Sequence, residues 1–172
     1  SDQAQGQGLA AIIGPTAVTD FPEVENFTRI NNWGETIFKY NDISYSITDF
    51  LEADSSFFDI FSFPLVRGDI KTVLNAKHKL VLSENTAKKI FGNEDPMDKM
   101  IKVGTDSVLY RVTGVFKEIP ENSSFRISAI GSFVTNPRAN ENAWMANSFE
   151  TFILLKPNAK QADVDARFAQ RR

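Results

Sequence analysis

The stretch Phe57–Pro96 constrains the fold more than any other, because its second half reads residue by residue as one strand handing over to one short, capped helix. Leu80, Val81 and Leu82 form an apolar run that ends on Ser83, whose hydroxyl can accept a hydrogen bond from a free amide of a helix's first turn. Within Glu84–Phe91 the apolar Ala87, Ile90 and Phe91 share one face; Glu84 stands at the positive end of the helix dipole, Lys88 and Lys89 at the negative end. Gly92 then supplies a left-handed cap, and Asp95-Pro96 turns the chain away. A helix this short does not persist alone, isolated helices below about 12 residues being marginal. Its apolar face must be docked. The expected dock is the aromatic cluster Phe57, Phe58, Phe61 and Phe63, the first three at helical spacing, with Pro64 ending the turn.

Around this segment the chain is rich in strand signals. Leu9–Ile13 reads as a short strand, followed by one or two helical turns from Pro15 to Pro22. Val24–Ile30 is strand-like without a clean inside and outside. Thr36–Tyr40 and Ile43–Ile47 flank Asn41-Asp42 and predict a hairpin, as do Ile101–Val103 and Val108–Tyr110 around Gly104-Thr105-Asp106. Gly114, inside the strand that follows, predicts a bulge or a close backbone approach. Phe125–Phe133 and Phe149–Leu155 read as later strands, separated by an unusually long polar loop, and Ala162–Arg172 reads as a helix with Val164 and Phe168 four apart. Strands outnumber helices, so the expected class is α+β.

Composition excludes some functions. The 172 residues can bury a core without staples, and their net charge of −3 with no dense Lys/Arg run argues against a nucleic-acid or anionic-membrane binder. The sequence has no cysteine, hence no disulfide framework and no thiolate metal site. No run approaches the roughly 20 apolar residues that cross a bilayer, so the expectation is a soluble fragment with Ser1 as a cut end.

Catalytic chemistry is hard to find. His78, the single histidine, lies in a polar connection without carboxylate partners nearby and reads as a solvated loop residue. Gly6-Gln7-Gly8-Leu9-Ala10-Ala11 has the letters of a dinucleotide fingerprint but no strand before it, and no Gly-x-x-x-x-Gly-Lys loop exists. The carboxylates at Asp20/Glu23/Glu25, Glu52/Asp54 and Glu94/Asp95/Asp98 are expected on the surface or at caps. No catalytic residue, cofactor or metal site is assigned. Trp33 and Trp144 lie among polar residues; each reads as a lid over a core edge or as a partner contact. Phe57, Phe58, Phe61, Phe63, Ser83, Ala87, Ile90, Phe91 and Gly92 form the structural core of the motif.

The succession Ser56-Phe57-Phe58-Asp59-Ile60-Phe61, Pro64-Leu65-Val66-Arg67-Gly68-Asp69, Val81-Leu82-Ser83-Glu84, Ala87-Lys88-Lys89-Ile90-Phe91-Gly92, Asp95-Pro96 and Val112-Thr113-Gly114-Val115 resembles the MacB-like periplasmic core domain of FtsX/MacB-type ABC transporter permeases. Ile119-Pro120-Glu121-Asn122-Ser123-Ser124-Phe125 and Leu154-Leu155-Lys156-Pro157 extend the likeness. The resemblance implies a porter-like βαβ lobe built from both chain ends, 1–52 and 123–172, and an inserted β-rich, sabre-like lobe at 53–122. It implies a position at the periplasmic face of a bacterial inner membrane, between the first and second membrane helices. The implied role is to pass ATP-driven movement, without catalysis or cofactor, to a substrate or periplasmic partner. Implied partners are a second permease copy, a cytoplasmic ATP-binding subunit or domain reached through membrane helices, and a periplasmic adaptor or lipoprotein, with no nucleic acid. The alternative is a ligand-binding sensor or carbohydrate-binding ectodomain, which needs an aromatic-lined pocket with convergent polar groups.

Overall fold

The computed structural model describes residues 7–8, 13–140 and 149–169. In chain order the elements are β1 (Gln7–Gly8), α1 (Ile13–Asp20), β2 (Val24–Tyr40), β3 (Ile43–Ala53), α2 (Phe57–Ile60), β4 (Leu65–Arg67), β5 (Lys79–Ser83), α3 (Glu84–Phe91), β6 (Met100–Val103), β7 (Val108–Phe116) and β8 (Ala129–Ser132). Two 3₁₀ turns, Phe133–Thr135 and Pro137–Asn140, precede β9 (Glu150–Leu155) and α4 (Gln161–Ala169). The class is α+β, as expected. The strand expected at Leu9–Ile13 falls mostly outside the described residues, and Pro15 sits in the first turn of α1, where its missing N–H costs nothing.

Val24–Ile30 and Thr36–Tyr40 are not separate strands. They join into β2, which carries register shifts against β3 between Asn32 and Gly34 and between Gly34 and Thr36. Such bulges bend a strand without ending it. The hairpin at Asn41-Asp42 forms, with both residues at positive φ (47° and 63°), the geometry of the tight turn whose twist suits two paired strands. The second hairpin, β6–β7, also forms. Phe125–Phe133 shortens to β8, because Phe125 and Ile127 leave the strand line to pack against an aromatic cluster.

The strands among the described residues share one mixed nine-stranded sheet in the order β1-β9-β2-β3-β8-β5-β7-β4, with β6 pairing both β2 and β7. The pairings β2–β3, β3–β8, β8–β5, β5–β7, β7–β6 and β6–β2 therefore close on themselves. Inside this ring lie Phe38, Ile47, Phe50, Leu80, Leu82, Ile101, Val103, Tyr110, Val112 and Ala129, all buried in one cluster. A ring hides the hydrogen-bonding edges that an open sheet exposes. Outside it, Leu51, Ala53, Val81, Phe116 and Ile130 point the other way into a second cluster with Phe57, Phe58, Phe61 and Phe152. Neighbouring residues on one strand thus serve two cores, as the two-residue period of a strand requires. Ala17, Phe21 and Val24 form a smaller cluster where α1 covers β2 and β9.

Candidate functional site

The capped helix α3 is built largely as its residues dictate. Ser83 Oγ accepts from the Thr86 amide at 3.2 Å and donates to Thr86 Oγ1 at 3.0 Å. Glu84 Oε2 accepts from the Glu118 amide, and Glu118 Oε2 accepts in return from the Asn85 amide, which ties the helix start to the chain leaving β7. Ala87, Ile90 and Phe91 are buried. Gly92 has the positive φ of 60° that a cap needs, but its ψ of −114° lies outside the left-handed helical region, in backbone space open to glycine alone.

The dock of α3 differs from expectation. Its apolar face enters the ring cluster with Leu80 and Leu82, while Phe57, Phe58, Phe61 and Phe63 belong to the cluster on the other face of the sheet. The reason is strand parity. Leaving β5 on the side of Leu80 and Leu82, α3 folds back over the β2–β3 hairpin, where Phe91 meets Tyr40 edge to face at 4.7 Å, the Tyr45 hydroxyl donates to Ile90 O, and Lys89 Nζ donates to Ser46 O. The phenyl rings instead pack on one another and on Phe125 and Phe152, with Phe57–Phe58 at 5.2 Å and Phe61–Phe152 at 5.2 Å.

Beside the phenyl cluster Phe58, Phe63, Pro64, Leu65 and Ile70 line an open cleft of about 580 Å³, to which Ser62 and Asp69 add polar side chains. That is little convergent polarity for a small-ligand pocket. Gly114 combines a bulge with a close approach: β7 shifts register against β5 beside it, and an added Cβ would meet Val73 Cγ1 at 2.9 Å and Arg67 O at 3.0 Å.

Glu52 and Asp54 depart furthest from expectation. Neither is a surface carboxylate; Glu52 is only 4% exposed and Asp54 is buried. Asp54 receives Arg29 Nε and a second guanidinium nitrogen, each at 2.8 Å, together with the Arg29 amide. The third guanidinium nitrogen donates to Ala139 O at 2.9 Å, and the guanidinium lies 4.4 Å from the Phe133 ring centroid. Glu52 accepts from the Tyr110 hydroxyl at 3.1 Å, from Asn136 Nδ2 at 3.0 Å and from Asn31 Nδ2 at 3.4 Å. Tyr110 reaches it by passing over Gly131, where a Cβ would stand 3.2 Å from both the Tyr110 and Phe50 rings. Burial first, then the neighbouring carboxylate of Glu52, pushes the Tyr110 hydroxyl far up from its ordinary value of 10.0. The sequence signal for this network was the unclear inside and outside of Val24–Ile30: a strand covered on both faces must pair any charge it carries.

Of the two tryptophans, Trp33 stands in the β2 bulge, 54% exposed, and Trp144 lies outside the described residues. His78 is an exposed loop residue whose amide donates to Thr135 Oγ1 and whose ring lies edge-on to Tyr110 at 5.9 Å. Among the described residues no cluster of three or more His, Cys, Asp or Glu could hold a metal, and no helix is long and apolar enough to cross a membrane.

The family model for the MacB-like periplasmic core domain matches residues 3–171. The chain belongs to this family. It is a periplasmic domain of the kind carried by MacB/FtsX-type ABC transporter permeases. The fold agrees. A domain of a protein described as a permease, from Porphyromonas gingivalis, superposes with a TM-score of 0.82 at 22% identity, covering 96% of this chain and 79% of that one. The periplasmic region of MacB from Actinobacillus actinomycetemcomitans gives 0.72 at 16% identity, over 95% and 72% of the two chains. The extracellular domain of the noncanonic ABC-type transporter YknZ from Gram-positive bacteria gives 0.63 at 16% identity, over 88% and 74%. No curated protein is significantly similar to the chain.

Proposed function

We propose that this periplasmic domain relays ATP-driven movement from the membrane part of an ABC permease to a substrate or periplasmic partner, and that it catalyses no reaction. The supporting observation is the closed strand ring, continuous by hydrogen bonds with the β9 and β1 extension. A lever must not dissipate a push in internal rearrangement, and interdigitated cores deform little. In this reading 1–52 with 123–172 form the porter-like lobe and 53–122 the sabre-like lobe; they move as one body because β8 of the first pairs with β5 of the second. ATP is hydrolysed by a cytoplasmic subunit or domain, a second permease copy stands alongside, and an adaptor or lipoprotein receives the motion. Trp33 is the contact proposed for that receiver.

Within these 172 residues there is no native cysteine to compete with an introduced label. Spin labels at Thr105→Cys, on the β6–β7 turn, and Lys160→Cys, ahead of α4, are introduced into the full-length permease with its ATP-binding subunit, and distances are measured through the ATP cycle. The expected result is a constant distance within each domain and a changing distance between the two copies' Thr105 labels. A distance within the domain that tracks ATP, or no motion at all, would overturn the proposal.

A further inference from the structure

The outward surface of β2, β6 and β7 carries the cations Lys39, Lys102 and Arg111, with Lys79 of β5 beside Arg111. In the β2–β6 register Lys39 stands opposite Lys102, and in the β5–β7 register Lys79 stands opposite Arg111. Like charges facing each other on adjacent strands destabilise a sheet. Little relieves them. Among the described residues Lys39 pairs with Asp42 alone, at 3.8 Å, a carboxylate almost wholly in water, while Lys79 Nζ is taken by Thr72 O and Asn75 Oδ1. Among the described residues Lys102 and Arg111 form no ion pair.

Interleaved with these cations on the same strands are large apolar side chains left in water: Ile37 at 46% exposed, Met100 at 44% and Leu109 at 47%. Leu109 is the register partner of Lys102, and Met100 that of Arg111. The inward residues between them, Phe38, Ile101 and Tyr110, are fully engaged in the core, so the face is held rigid from beneath.

We propose that this face is a docking surface for an acidic segment of a partner protein, one that presents carboxylates to Lys39, Lys102 and Arg111 and apolar side chains to Ile37, Met100 and Leu109. Charge complementarity argues for it, since a cationic face on a chain of net charge −3 attracts a local cluster of carboxylates. An anionic bilayer fits less well. The chain's net charge opposes the approach of a whole negative surface, and side chains lying on a sheet face do not project as an inserting wedge does. The inference deepens the transmission reading by adding to Trp33 a second contact face for the receiver, yet it concerns binding alone, so either can fail without the other.

The test follows backbone amide shifts of the labelled chain during titration with a short synthetic peptide of glutamates interspersed with leucines, and separately with vesicles of phosphatidylglycerol and phosphatidylcholine. Saturable shifts centred on Ile37, Lys39, Met100, Lys102, Leu109 and Arg111 are expected with the peptide. Added salt should weaken them. The double variant Lys102→Glu with Arg111→Glu should weaken binding by about tenfold, while Lys88→Glu with Lys160→Glu leaves it unchanged. A milder variant, Leu109→Ser, is expected to weaken binding with an unaltered amide spectrum elsewhere. Shifts spread over every lysine, shifts with vesicles only, or no shifts would each overturn the proposal.

Discussion

The two hydrophobic clusters hold comparable side chains in different ways. The ring cluster is walled by paired strands and covered by α3, so moving its residues means breaking a ladder of backbone hydrogen bonds. The phenyl cluster has the sheet on one side only; its other side is closed by the four-residue α2 and by irregular chain bearing Phe63 and Phe125. Burial alone does not set rigidity: both Phe57 and Leu82 are fully buried, but only Leu82 sits on a strand paired on both sides.

A pair of truncations separates the two clusters most strongly. Phe57→Ala is expected to cost about 3–5 kcal/mol and Leu82→Ala about 2–5 kcal/mol in urea unfolding. They should part company in native-state hydrogen exchange. Phe57→Ala is expected to lower protection mainly across α2 and the segments that follow β3 and β7, whereas Leu82→Ala lowers it around the whole ring. Equal loss everywhere would mean that the two clusters form one cooperative unit.

A second test addresses the ion pair where the phenyl cluster meets the 3₁₀ turns. Arg29→Met leaves Asp54 buried with its charge unmatched and is expected to cost about 3 kcal/mol, while Arg29→Met combined with Asp54→Leu recovers much of the loss. Chemical denaturation of the two variants decides it. No recovery would assign the loss to Arg29 packing against Phe133 rather than to charge.

The smallest effect belongs to the end of the ring. Tyr110→Phe removes one donor from Glu52 and is expected to cost about 1–2 kcal/mol. Because folding raises the value of this hydroxyl, the stability it confers is fully present below its ordinary value of 10.0 and is lost as pH rises beyond that. Thermal unfolding followed from pH 9 upward should therefore show a steeper alkaline decline in the parent chain than in Tyr110→Phe. Identical slopes would show that folding does not raise the value of this hydroxyl.

How much of this was legible depends on chain distance. The Ser83 cap, the Ala87/Ile90/Phe91 face and the Asn41-Asp42 turn are settled by interactions within a few residues, and each could be read in order. The docking of α3 could not, because Phe57 and Leu80 look equally apolar in sequence and only the parity of β5 against its neighbours separates them. Nor could the network at Glu52 and Asp54. Their partners Tyr110, Asn136 and Arg29 lie 58, 84 and 25 residues away, and nothing local marks those carboxylates as internal.

By itself the sequence determined the class, the short capped helix, the two hairpins and the order of small motifs that marks the family, since these rest on backbone preferences and neighbour spacing. Only the tertiary structure decided which core each strand face serves, where the ring closes between β2 and β6, and which charges go inside. Those outcomes depend on register between distant segments, and a shift of one residue would turn every side chain on a strand to the opposite face.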